Sequence, residues 1–226
     1  MEIVSIFTIL LFLLTSAGTV WFFYRAANNS LVVLGVLLGW AILQSAISLF
    51  GFYQNWDAIP PRFIFLVVPW LILIIILFTV NKGQAFIDRL QIEWLTMLHV
   101  VRIPVEITLY LIFLAKLIPE SMTFEGRNWD ILSGISAPII YYFVFRIRKI
   151  NKSVLLIWNF VCLGLLVNVV TIALLAAKTP FQQIDFEQPN IGVAYFPFVL
   201  LPCLVVPLVF FSHLAAIRQL LKKLND

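Results

Sequence analysis

The sequence predicts an all-α integral membrane protein, a bundle of seven transmembrane helices with no soluble domain. Of its 226 residues, 62% are hydrophobic and 12% charged, whereas a soluble domain carries about 25% charged residues. Mean hydropathy is +1.04, more apolar surface than a core in water can hide, so lipid is the expected solvent. The apolar residues gather into seven runs of spanning length, at 3–24, 31–53, 63–80, 94–118, 131–147, 153–177 and 195–217. Residues 1–226 are read as one domain.

The first run is long, lacks a basic flank and has only Glu2 as an early charge, so it reads as a span and not as a signal peptide. Arg25–Ser30, with Asn28 and Asn29, separates it from the second. That run carries Gly35-x-x-x-Gly39, a spacing that lets two helices approach closely. It also carries Gln44, whose primary amide needs a partner across a bundle. Pro60 and Pro61 lead into the third run, which holds Pro69 and Trp70. Trp40 and Trp70 lie near mid-span, where they either pack or line a cavity. Residues 83–93 mix Phe86, Ile87 and Leu90 with Asp88, Arg89 and Glu93, the pattern of a short interfacial helix or of an inner extension of span four.

The fourth run contains the strongest functional signal. Charge at bilayer depth is expensive and usually marks function, yet Arg102 and Glu106 sit mid-span. With His99 they share one helix face, which Tyr110 extends by a turn. At i,i+4 the two are expected to pair. The polar loop Pro119–Asp130 follows, with Glu125, Arg127, Asn128 and Asp130 read as a lid, and Asn128 or Asp130 as the N-cap of the fifth helix. The sixth run carries Cys162 and Asn168; the seventh has Cys203 and is least regular, with Pro197, Pro202 and Pro207. Both cysteines read as small buried apolar groups.

Orientation follows from basic residues. With the N-terminus outside, Arg25, Lys82, Arg89, Arg146, Arg148, Lys149, Lys152, Arg218, Lys222 and Lys223 are inner, against Arg62, Lys116, Arg127 and Lys178 outside. This N-out, C-in arrangement obeys the positive-inside rule and suits a bacterial inner membrane. A pI near 9.2 is therefore a footprint of insertion and lipid contact, with no call for nucleic acid.

The expected function is binding, and transport, of a small solute or ion through an outward-facing cavity. Arg102 and Glu106 form its floor, Tyr110, Gln44 and Asn168 contribute ligand contacts, and Glu125, Arg127, Asn128 and Asp130 guard the mouth. Beyond the bilayer and the solute, a second copy or a partner membrane subunit is the further contact considered. His99 and His213, on different helices at similar depth, offer a second reading as a haem or proton site. No metal-ligand set stands out, and no hydrolase, metalloprotease or phosphate-loop signature is present. An intramembrane enzyme using Glu106 and a structural or assembly subunit complete the alternatives.

Overall fold

The computed structural model describes residues 4–149 and 151–225, with side chains to Lys222; Glu2 and the Lys223 side chain, both used in the charge count, lie outside the described residues. Among these residues all the regular structure is helical, apart from a single bridge between Ala177 and Asn190. Five helices are long and apolar enough to cross a membrane, or six if one bent pair counts as a span. That composition is compatible with an integral membrane protein.

Helix α1 (Ile6–Ala26) is capped by Ser5, whose side chain accepts from the Thr8 N–H. Its buried Thr15, Ser16 and Thr19 hydroxyls donate to carbonyls one turn back, so none is orphaned. Helix α2 (Leu31–Leu49) is capped likewise by Ser30 but buries few residues. A side chain at Gly35 or Gly39 would meet nothing within 4 Å, so the close helix contact expected there is not made. Helix α3 (Ile64–Thr79) ends at extended Val80, and α4 (Asn81–Arg89) turns away from it by 93°. Of the two expectations for 83–93, the separate short helix is therefore the one observed. Gly83 permits the bend, because a Cβ there would lie 2.5 Å from the Leu77 carbonyl oxygen.

Span four is one rod, Ile92–Leu114, built from α5 (Ile92–Leu98), a 3-10 turn (His99–Val101) and α6 (Arg102–Leu114). Pro104 explains the tightened turn, since it has no N–H for the Val100 carbonyl. Helix α7 (Ile131–Tyr141) contains Pro138 and runs into a π-turn, Tyr142–Arg146. It crosses the rod at Gly134, where a Cβ would sit 2.9 Å from the Ile103 nitrogen. Helix α8 (Lys152–Leu175) follows, and a π-turn (Leu201–Val205) opens α9 (Val206–Asn225).

The last helix departs most from its expected bounds. Residues 195–200 are apolar but not helical in the main, because Pro197 and Pro202 interrupt the ladder. At the other end the helix continues through Arg218 and Lys222, both good helix formers. Helix α9 is also the most buried, packed on by α3, α4, α5 and α8, with α1 and α2 against its opening π-turn.

Candidate functional site

The rod places His99, Arg102 and Glu106 inside the bundle, each at most 2% exposed. The shared face is therefore the inner face. Its pairing differs from the expectation. Arg102 does not pair with Glu106; its Nε lies 3.0 Å from Asp130 Oδ2, and its two terminal nitrogens each lie 3.4 Å from the Cys162 carbonyl oxygen. The Arg102 N–H is not aligned with the carboxylate, and among the described residues Asp130 Oδ1 and the nearby Ser133 hydroxyl make no hydrogen bond. Asp130 occupies the N-cap position of α7 without capping it, because its side chain is turned to Arg102.

Glu106 is held by the loop instead. Asn128 Nδ2 lies 2.8 Å and 2.7 Å from the two Glu106 oxygens and 2.9 Å from the Met122 carbonyl oxygen. Asn128 Oδ1 accepts from the Asp130 N–H, which fixes the amide's orientation. Gly126 makes this loop turn possible, since a Cβ there would collide with the Glu120 carbonyl oxygen. Asn128 and Asp130 thus act together as a plug pushed onto the charged face, while Glu125 and Arg127 stay exposed. Ser121 donates to Asp185 at 2.6 Å, tying this loop to the one that follows α8.

Toward the N-terminal end of the rod from Arg102, the polar column continues through histidine. His99 and His213 stack with ring centroids 3.8 Å apart and planes 15° apart, and Trp158 packs against both. His213 Nδ1 lies 2.9 Å from Asn159 Oδ1, while both nitrogens of His99 and the Nε2 of His213 have no hydrogen-bond partner among the described residues. This geometry does not fit axial haem ligation. Two axial imidazoles point their nitrogens at an iron between them, and rings stacked face to face leave no place for a macrocycle.

The other expected ligand contacts are elsewhere. Gln44 accepts from the Tyr53 hydroxyl and donates to the Phe65 carbonyl at 3.4 Å. Asn168 faces outward from the bundle and donates to the Arg127 carbonyl at 2.8 Å. Tyr110 is half-buried beside Phe124, ring centroids 5.0 Å apart. An open cavity with Arg102 and Glu106 at its floor is therefore not what the structure holds: both side chains are sealed. A pocket of about 170 Å³ lies instead between α3, α8 and α9, walled by apolar groups such as Trp70, Ile74, Val170 and Phe210. Asn159 was the amide to notice in span six; only its register against His213 distinguishes it from Asn168, and register between helices is not written in a sequence.

The family model described as "Domain of unknown function (DUF8737)" matches residues 59–221, which is well over half the chain. The chain belongs to that family. The DUF8737 region contains every member of the charged column and leaves out α1, α2 and Gln44. No curated protein and no solved structure matches the chain.

Proposed function

We propose that this is a seven-span protein of a bacterial inner membrane, N-out and C-in, that binds a proton at Glu106 and uses it to gate a small solute or ion. The observation carrying this reading is the partnering of Glu106: Asp130 takes Arg102, and a neutral amide, Asn128, takes Glu106. The cluster holds two carboxyls against one guanidinium, so it is electroneutral with one proton bound. Buried chains of Glu, Asp and His are the usual material of proton relays in transporters. The sealed arrangement corresponds to an occluded state, and withdrawing Asn128 would open Glu106 to the outer side. The span from His99 to Glu106 covers about 10 Å of bilayer depth, which lets the histidine stack serve as the inner half of the path.

The test is a pH jump on the purified protein in proteoliposomes, read by a pH-sensitive dye and by transient charge displacement. Uptake of one proton per chain, lost in Glu106→Gln and kept in Glu125→Gln, is the expected result. Absence of uptake in folded protein would sink the reading and leave the structural or assembly subunit, for which the fully enclosed Arg102–Asp130 pair also speaks. An intramembrane enzyme would need a substrate path to Glu106 that the plug closes.

A further inference from the structure

At the opposite end of the bundle from the Asn128 plug lies a cleft of about 580 Å³ that the proton path does not use. The start of α5, the π-turn after α7, the start of α8 and the end of α9 form its walls. Its character is divided. Ile92, Val144, Phe145, Leu155 and Leu220 make an apolar wall, while Arg148, Lys152 and Glu93 stand at the rim with Asn151. Among the described residues neither Arg148 nor Lys152 makes an ion pair or a side-chain hydrogen bond. Lys152 is the first residue of α8, whose first turn has no acidic group. A cation there stands against the positive end of the helix dipole instead of compensating it. The rim therefore carries more positive than negative charge, with Glu93 its one acidic group.

We propose that this cleft binds the phosphodiester headgroup of an anionic membrane lipid, with Arg148 and Lys152 on the phosphate and an acyl chain along Phe145, Leu155 and Leu220. Two cations without ion-pair partners beside an apolar wall suit a phosphate that carries an acyl chain, and Glu93 at the rim opposes a more highly charged phosphate monoester. The apolar wall selects a lipid over a soluble phosphate, and basic pockets between helices at the inner boundary are suited to such headgroups. This site rests on the membrane reading alone and is independent of proton binding at Glu106.

Purified full-length protein, delipidated in detergent, would be titrated with phosphatidylglycerol, phosphatidylcholine, glycerol 3-phosphate and inorganic phosphate, with binding read by native mass spectrometry and thermal unfolding. Phosphatidylglycerol is expected to bind and to raise Tm, with the zwitterionic lipid and both soluble phosphates much weaker. Each basic group near a membrane surface contributes about 1 kcal/mol to anion binding, so Arg148→Gln or Lys152→Gln should weaken it about fivefold and the double variant about thirtyfold. Glu93→Gln should tighten it, a gain that damage to the fold would not produce. Equal binding of phosphatidylcholine, or unchanged binding by the double variant, would overturn the site. Equal binding of glycerol 3-phosphate would overturn the lipid as its source. The double variant is expected to keep its proton uptake, so failure here and failure at Glu106 are separately visible.

Discussion

At the scale of single residues, the decisive fact is which acid takes Arg102. A buried ion pair is a poor stabilising device, but breaking one is costly, because it leaves a charge stranded out of water. Arg102→Leu alone or Asp130→Leu alone should each destabilise the protein by about 3–5 kcal/mol, and the double variant Arg102→Leu/Asp130→Leu should recover much of that loss. Unfolding in mild detergent, followed by circular dichroism with increasing denaturant, measures all three. Had Glu106 been the partner, the recovery would appear with Arg102→Leu/Glu106→Leu instead. The sequence made the charges at depth plain, because they interrupt an apolar run. It did not reveal the pairing. Asp130 reads locally as a helix cap and Asn128 as loop chemistry, and only the fold of Pro119–Asp130 over the rod brings them to Arg102 and Glu106. The same limit applies to His99 and His213, whose similar depth was legible while their face-to-face stacking, which does not fit axial haem ligation, was not.

At the scale of elements, the prolines explain how the helices hold together. Pro207 has no N–H to give the Cys203 carbonyl one turn back, and that buried carbonyl accepts instead from two tryptophans, Trp40 of α2 at 2.9 Å and Trp70 of α3. The mid-span tryptophans therefore clamp three helices at a gap in the central one. Pro69 repeats the device: it frees the Phe65 carbonyl, which takes the Gln44 amide. Both prolines were visible in the sequence as sites of irregularity, and both tryptophans as out of place, but their complementarity depends on α2 and α3 lying against α9. Stripping both indoles leaves the Cys203 carbonyl buried without a donor, a loss of about 1–3 kcal/mol. In a Pro207→Ala background the new backbone N–H can serve that carbonyl, so Trp40→Phe/Trp70→Phe should cost less there. A double-mutant cycle is expected to show coupling of about 1 kcal/mol. Strict additivity would mean the tryptophans act by packing alone, since the volume lost is the same in both backgrounds.

At the scale of the whole molecule, the two ends of the bundle are built differently. At the end that holds the Asn128 plug, loops are knitted to the rod: Gln188 donates to the Phe113 and Ile118 carbonyls at 3.2 Å and 2.5 Å, and the Ile191 and Gly192 N–H groups share the Leu117 carbonyl. At the other end, α4 lies across the foot of α9, with Gln219 donating to the Ile87 and Leu90 carbonyls. Asp88 of α4 meets Arg218 at 3.2 Å and Lys222 at 3.0 Å. Burial works to raise its carboxyl, and those two cations outweigh it, so its pKa lies below the ordinary value. The basic clusters Arg146–Lys152 and Arg218–Lys222 both sit at this second end, next to the proposed lipid cleft. The approximate bounds of the long apolar helices were legible because apolar residues gather into runs, but five or six helices of spanning length stand where seven were expected, since the third run is bent by 93° and the fifth gives only a short helix. The displaced start of α9 was not legible either, because apolar residues outside a helix look the same in a sequence.

That asymmetry sets up the test of orientation. Ten basic residues on one side against four on the other predict that the α4 end faces the cytoplasm. Trp129 is 62% exposed at the plug end and Arg146 is exposed beside the π-turn at the other. With Cys162 and Cys203 replaced, a single cysteine at Trp129 should react with a membrane-impermeant maleimide on intact cells. One at Arg146 should react only after the membrane is opened. The reverse pattern would invert the molecule. Glu106 would then be gated from the cytoplasm and the lipid cleft would face the outer leaflet. Labelling of both sites on intact cells would mean that the chain does not form a sealed crossing between them, which would remove the seven-span arrangement.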